Sequence, residues 1–270
     1  NAEVKMSAIK GVVGRRSVAF TLTELLIVVG ILVVLGAMLM PAMSRVRAHS
    51  RQTTCLSHVR QLEQAYAEYL RQNGLEGLPS NPTPAGSWVA VVQSRLESPE
   101  EILQCPSASS EQRGFGSATA SWTLTLGLDA DPARVVGSYG FNGWLQTLDP
   151  KNPSADRFSG GTPAEHMKGL HAQDAGRIPV FGDCTWNDSW PRETDPTPPN
   201  LRGGDWRRQG WKIAPNENFM ARFTIARHDK SVNVAFLDGH AEAVPLADLK
   251  ELKWHEGFVY QDWQPPLPGH

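Results

Sequence analysis

One carboxylate interrupts the most apolar stretch of the chain. In AFTLTELLIVVGILVVLGAMLMPAM, residues 19–43, Glu24 follows Phe20 by four positions, and no further charge appears until Arg45. A carboxylate in hydrocarbon is costly unless paired, so an acid there reads as a functional residue whose partner must be named. A second set of reactive side chains lies near the C-terminus: His228, Asp238 and His240, with Asp183 able to approach them. Histidine and carboxylate together suggest metal ligation or acid–base chemistry. On a hairpin, however, His228 and His240 sit at opposite ends of one strand, roughly 30 Å apart at about 3.3 Å per residue. One metal ion cannot bridge that span. Asp238 therefore reads as a turn former and His228 as a capping or hydrogen-bonding residue.

The three cysteines, Cys55, Cys105 and Cys184, form no CxxC pair, which argues against a zinc site of the usual spacing. In an oxidising compartment they allow one disulfide and one free thiol. Cys55 with Cys105 is the pairing favoured here, and three unpaired thiols is the alternative. No GxSxG, HExxH or P-loop pattern is present, so no enzyme class is indicated. The segment WNDSWPRETDPTPPNLRGGDWRRQGW is a candidate ligand loop, because exposed indoles such as Trp206 and Trp211 can stack on sugars. Core packing accounts for most of the other tryptophans.

The elements that position these residues follow from pattern. Residues 1–19 carry Lys5, Lys10, Arg15 and Arg16 against Glu3, and Met6 reads as a candidate start. The apolar run after them is about the 20 residues a membrane-spanning helix needs, with its basic flank on the cytoplasmic side. A cleaved signal peptide ending near Pro41-Ala42-Met43 and a plain signal anchor are competing readings, and neither explains Glu24. Beyond the run, Leu56, Val59, Leu62, Tyr66, Tyr69 and Leu70 recur at helical spacing, and Asn73-Gly74 supplies a C-cap. One helix from Phe20 to Asn73 is expected to be roughly 80 Å long, bent or locally melted at Pro41. Arg45, Arg47 and Arg51 just past the run suit a lipid surface.

After residue 74, glycine and proline mark a loop-rich body with short helices at SWVAVVQSRL and, capped by Ser98, at SPEEILQ. Strands are expected in SWTLTLGL, VVGSYGFNGWL and RIPVFGD. In SVNVAFLDGHAEAV, alternating residues flank Asp238-Gly239, a hairpin signal. Residues 186–216 read as one long loop. With 270 residues and a net charge of −2, no basic face points to nucleic acid.

RRSVAFTLTELLIVVGILVVLGAMLMPAM resembles the N-terminal signal of type IV pilins and of general-secretion pseudopilins. The resemblance implies cleavage by a prepilin peptidase between Ala19 and Phe20 and methylation of the new Phe20 terminus. It further implies pairing of Glu24 with the Phe20 amine of a neighbouring subunit, and a helix-bending role for Pro41. Ala19 departs from the glycine usual before the cut. CLSHVRQLEQAYAEY, LQCPSA, GSYGFNGWL and His228 followed by nine residues and Asp238-Gly239 are similar to segments of one large bacterial group of pilin-like proteins.

The implied fold is α+β, a lollipop with a long helix on a small antiparallel sheet. Residues 1–19 are leader, 20–43 membrane or filament-core helix, 44–74 its amphipathic continuation, and 75–270 the globular domain. The implied protein is no enzyme. It is a subunit partnered by its own copies, other pilin-like subunits, the peptidase, an inner-membrane assembly platform and lipid, its body outside the cytoplasm. No cofactor is required. Some pseudopilins bind calcium in a C-terminal loop, and Asp183, Asp188, Asp195 and Asp205 offer oxygen ligands, though without EF-hand spacing. The competing classes are an anchored extracytoplasmic binding protein, glycan-directed through Trp206 or Trp211, and an anchored hydrolase without a familiar motif.

Overall fold

The computed structural model describes residues 21–79, 87–111, 113–126, 133–148, 162–167, 169–203 and 218–265. Ala19, Phe20, Asp205, Trp206 and Trp211 lie outside the described residues. The chain divides into two compact units, residues 1–46 and 47–270. One helix, α1 (Leu22–Asn73), contributes to both.

Helix α1 starts on a reciprocal cap. The Thr21 hydroxyl oxygen accepts from the Glu24 backbone N–H at 3.2 Å, and Glu24 Oε2 accepts from the Thr21 backbone N–H at 2.9 Å. The Thr21 hydroxyl also donates to Glu24 Oε2 at 2.7 Å. This is a capping box, which satisfies donors that the first turn leaves without helical partners. Of the two effects expected of Pro41, local melting does not occur, because the helix runs unbroken through it. A proline removes one backbone donor, and the bonds of the adjoining turns persist. The helix closes as the sequence indicates: Gly74 takes φ +61, and the Leu75 N–H returns to the Leu70 carbonyl at 2.9 Å.

In the first unit α1 is apolar on every side. Leu22, Leu26, Ile31, Val33, Leu39 and Met43 are all exposed, and so are the large apolar residues between them. A helix apolar all round belongs in lipid or within an assembly. Among the described residues it is the helix long and apolar enough to cross a membrane.

The second unit is mixed α+β. Its main sheet has five strands in the order β10-β9-β7-β5-β8: β5 (Tyr139–Asn142), β7 (Pro179–Asp183), β8 (Asp188–Ser189), β9 (Ser231–Phe236) and β10 (Ala241–Pro245). The sheet is not wholly antiparallel, because β8 pairs parallel to β5. The chain leaves β7 on one side of β5 and reaches β8 on the other. A Cβ at Gly140 would come within 2.6 Å of the Cys184 side chain and the Trp186 carbonyl, so only glycine admits that crossing. A smaller sheet joins β2 (Ser110–Glu111), β3 (Ala120–Leu126) and β4 (Ala133–Gly137). A short parallel pair joins β1 (Leu78–Pro79) to β6 (Gln146–Thr147).

Two short helices lie where expected, α2 (Trp88–Gln93) and α3 (Pro99–Ile102). Ser87 caps α2 through its side chain, whereas Ser98 makes no side-chain cap on α3. A third, α4 (Met220–Phe223), follows later in the chain. The core sits between α1 and the main sheet: Tyr66 packs on Phe141 and Phe181, and Trp88 on Phe181. The described part of the expected long loop is not open. It contains β8, and Trp190 is buried against Phe219.

Candidate functional site

The motif segments separated in sequence meet at one place. Cys55 projects from α1 and is bonded to Cys105, the residue that follows α3 by three positions. Both are fully buried. The pairing closes a sequence separation of 50 residues, a constraint contributing about 4 kcal/mol in the chain-entropy account. Cys184 is the free thiol, and burial pushes it up to about 12, so it is inert.

His228 completes the cluster. Its Nε2 lies 3.4 Å from Cys105 Sγ and 3.5 Å from Asp183 Oδ2. The His228 carbonyl accepts the Ser231 N–H at 3.2 Å and the Ser231 hydroxyl at 3.0 Å, which closes the turn into β9. The residue is thus the hydrogen-bonding group its position suggested, and it also faces a disulfide. Asp183, at the end of β7, has no exposed side-chain surface. Burial pushes its carboxyl up, but His228, Arg227 and the Asn233 N–H at 2.8 Å outweigh that and hold it below the ordinary range.

Arg227 is the residue that sequence reading misses. Its guanidinium is wholly buried and pairs with Asp183 Oδ1 at 3.3 Å. It also donates to the carbonyls of Ser117 at 2.8 Å, Ala118 at 3.3 Å, Cys184 at 3.3 Å and Ser138. One side chain therefore ties the residue before β5, the end of β7 and the loop before β3 together. The Ser138-Tyr139-Gly140 segment belongs to the same knot. Tyr139 Oη lies 3.3 Å from His58 Nδ1 on α1, and Asn142 donates to the Pro179 and Trp254 carbonyls at 3.0 and 2.9 Å.

The other end of the His228 motif also returns to α1. Residues 237–239 turn β9 into β10, and Gly239 takes φ +89. Asp238 Oδ1 accepts from the His240 N–H at 3.1 Å and sits 2.5 Å from His240 Nδ1, so it holds the turn as expected. His228 and His240 stand at opposite ends of β9. Beside the turn is Glu63 of α1, only 3% exposed. It lines a groove of about 740 Å³ with Arg71, Glu76, Asp238 and Gly239. Burial pushes Glu63 up to about 7, and Asp238 adds to the rise while Arg71 and Arg60 oppose it. The folded chain then keeps this proton to higher pH than the unfolded chain. The stability that Glu63 contributes is fully present below about pH 4.5 and is lost as pH rises to about 7. Glu63→Gln is expected to raise the Tm at about pH 8 and leave it unchanged at about pH 4, measured by thermal melts of both proteins.

The three described aspartates of the calcium set are each committed elsewhere. Asp183 is committed to Arg227 and His228, Asp188 lies 3.7 Å from Arg222, and Asp195 accepts the Arg192 and Met220 N–H groups at 2.9 and 2.7 Å. Each aspartate satisfies a different cation or backbone donor, so the carboxylates are not shared. Among the described residues, the side chains gathered closely enough to hold a metal are Cys55, Cys105 and His228.

No family model, curated protein or solved structure matches this chain.

Proposed function

We propose that the chain is a pilin-like subunit of a type IV pilus or a type II secretion-like filament. Prepilin peptidase cuts it before Phe20, and α1 then holds it in the inner membrane and carries it into the filament. Its role is structural, and it catalyses no reaction. The observation that carries this reading is the first unit. Residues 22–46 form a helix whose large apolar side chains are exposed all round, with one carboxylate, Glu24, in the first turn. Such a surface needs lipid before assembly and neighbouring helices after it.

The new Phe20 amine would lie at the positive end of α1, where a cation is disfavoured and a nearby carboxylate offsets it. Glu24 of an adjacent copy supplies that carboxylate and sets the stagger between subunits. The Cys55–Cys105 disulfide supports a body outside the cytoplasm, where oxidised cysteines persist. The basic leader places the other end inside.

Mass spectrometry of the mature N-terminus tests the reading. The expected product begins at Phe20 and carries one methyl group on its amine. A mature start near Ser44, or a leader retained in cells that contain active prepilin peptidase, would overturn it.

A further inference from the structure

The filament reading uses the Cys55–Cys105 disulfide only as a sign of compartment and gives no chemistry to the buried cluster it forms with His228. We propose that, when its disulfide is reduced, this chain binds one divalent cation of the zinc class through Cys55 Sγ, Cys105 Sγ and His228 Nε2. Disulfide formation closes the site. The proposal concerns the body alone and does not depend on processing at Phe20.

Geometry carries it. The three donor atoms lie within 4.8 Å of one another. In a tetrahedral site with Zn–S of about 2.3 Å and Zn–N of about 2.0–2.1 Å, sulfur and nitrogen sit about 3.5 Å apart. Cys105 Sγ and His228 Nε2 are already 3.4 Å apart. A dithiol reductant opens the disulfide with two electrons and two protons and becomes a disulfide itself. The two sulfurs can then separate by rotation of their side chains. The cation displaces one proton from each thiol, and both protons leave to solvent.

The surroundings suit a cation of this type. Two thiolates and an imidazole are soft to borderline ligands, which select zinc over magnesium or calcium. The cluster is buried, so two thiolates need a compensating double positive charge. Arg227 cannot supply it, because Asp183 already neutralises its guanidinium. Three protein ligands leave a fourth position beside Asp183 Oδ2, which lies 3.5 Å from the same His228 nitrogen. The ligands come from three separate segments, which is why the sequence shows no CxxC spacing.

The test uses the full chain in detergent, either oxidised or reduced with a phosphine that is then removed without air. Co²⁺ and Zn²⁺ are the probes. The reduced chain is expected to take one Co²⁺ with tetrahedral ligand-field bands and a thiolate charge-transfer band, and Zn²⁺ should displace it. The oxidised chain should bind neither. His228→Ala and His228→Gln should each weaken Zn²⁺ binding on the order of tenfold or more. A reduced chain that loses tertiary structure and regains it with Zn²⁺ also supports the site. The proposal fails if the reduced chain, folded or unfolded, shows no stoichiometric binding. It fails equally if the oxidised chain binds as well, or if both His228 variants bind like the parent.

Discussion

Arg227→Met is expected to destabilise the body by about 3–5 kcal/mol, the usual cost of breaking a buried ion pair by removing one partner. Neither side chain of the Arg227–Asp183 pair has exposed surface, so solvent cannot take the place of the lost guanidinium. The Asp183 carboxylate would keep only the Asn233 N–H and His228. The carbonyls of Ser117, Ala118 and Cys184 would each lose a donor. For a domain of this size the Tm should fall by roughly 10 °C. Near-ultraviolet circular dichroism is the suitable signal, because it reports the packed tryptophans of the body and not the long helix. The double variant Arg227→Met with Asp183→Leu should recover much of the loss, since it removes both charges from the same dry site. A single variant that melts within a degree or two of the parent would mean that the backbone donors alone hold Asp183.

Local elements are legible in the sequence because their signals are local. The stripe from Leu56 to Leu70, the Asn73-Gly74 cap and the Asp238-Gly239 hairpin each depend on residues a few positions apart, and each forms. The Thr21-x-x-Glu24 cap is equally local, but the apolar run around it draws attention to the membrane instead. Asp183 does approach His228 and Cys55 does pair with Cys105, as the sequence allows, but that the two pairs meet in one knot could not be read, because it joins segments more than 40 residues apart in sequence. Arg227 stands in ARHDK, where a charged run beside a turn looks like surface. Only the strand order, with β7 between β5 and β9, places it inside. The parallel β8 is hidden for the same reason, since it depends on the crossing allowed at Gly140.

Glu24→Gln separates two roles that one carboxylate now holds. As the third residue of α1 it caps the Thr21 N–H, and glutamine serves that position in a capping box as well. As a charge it is proposed to meet the Phe20 amine of a neighbour, and glutamine cannot neutralise an ammonium. The substitution should therefore leave α1, membrane residence and cleavage before Phe20 intact, yet lower the filament fraction on the order of tenfold or more, as loss of one member of a desolvated charge pair does. Glu24→Ala removes cap and charge together and should assemble no better. Immunoblots of sheared filaments against membranes measure the fraction, and the mass of the mature N-terminus shows whether cleavage still occurs. If Glu24→Gln assembles like the parent while Glu24→Ala does not, the acid serves only the first turn of its own helix. Subunit register would then have to come from the apolar faces alone.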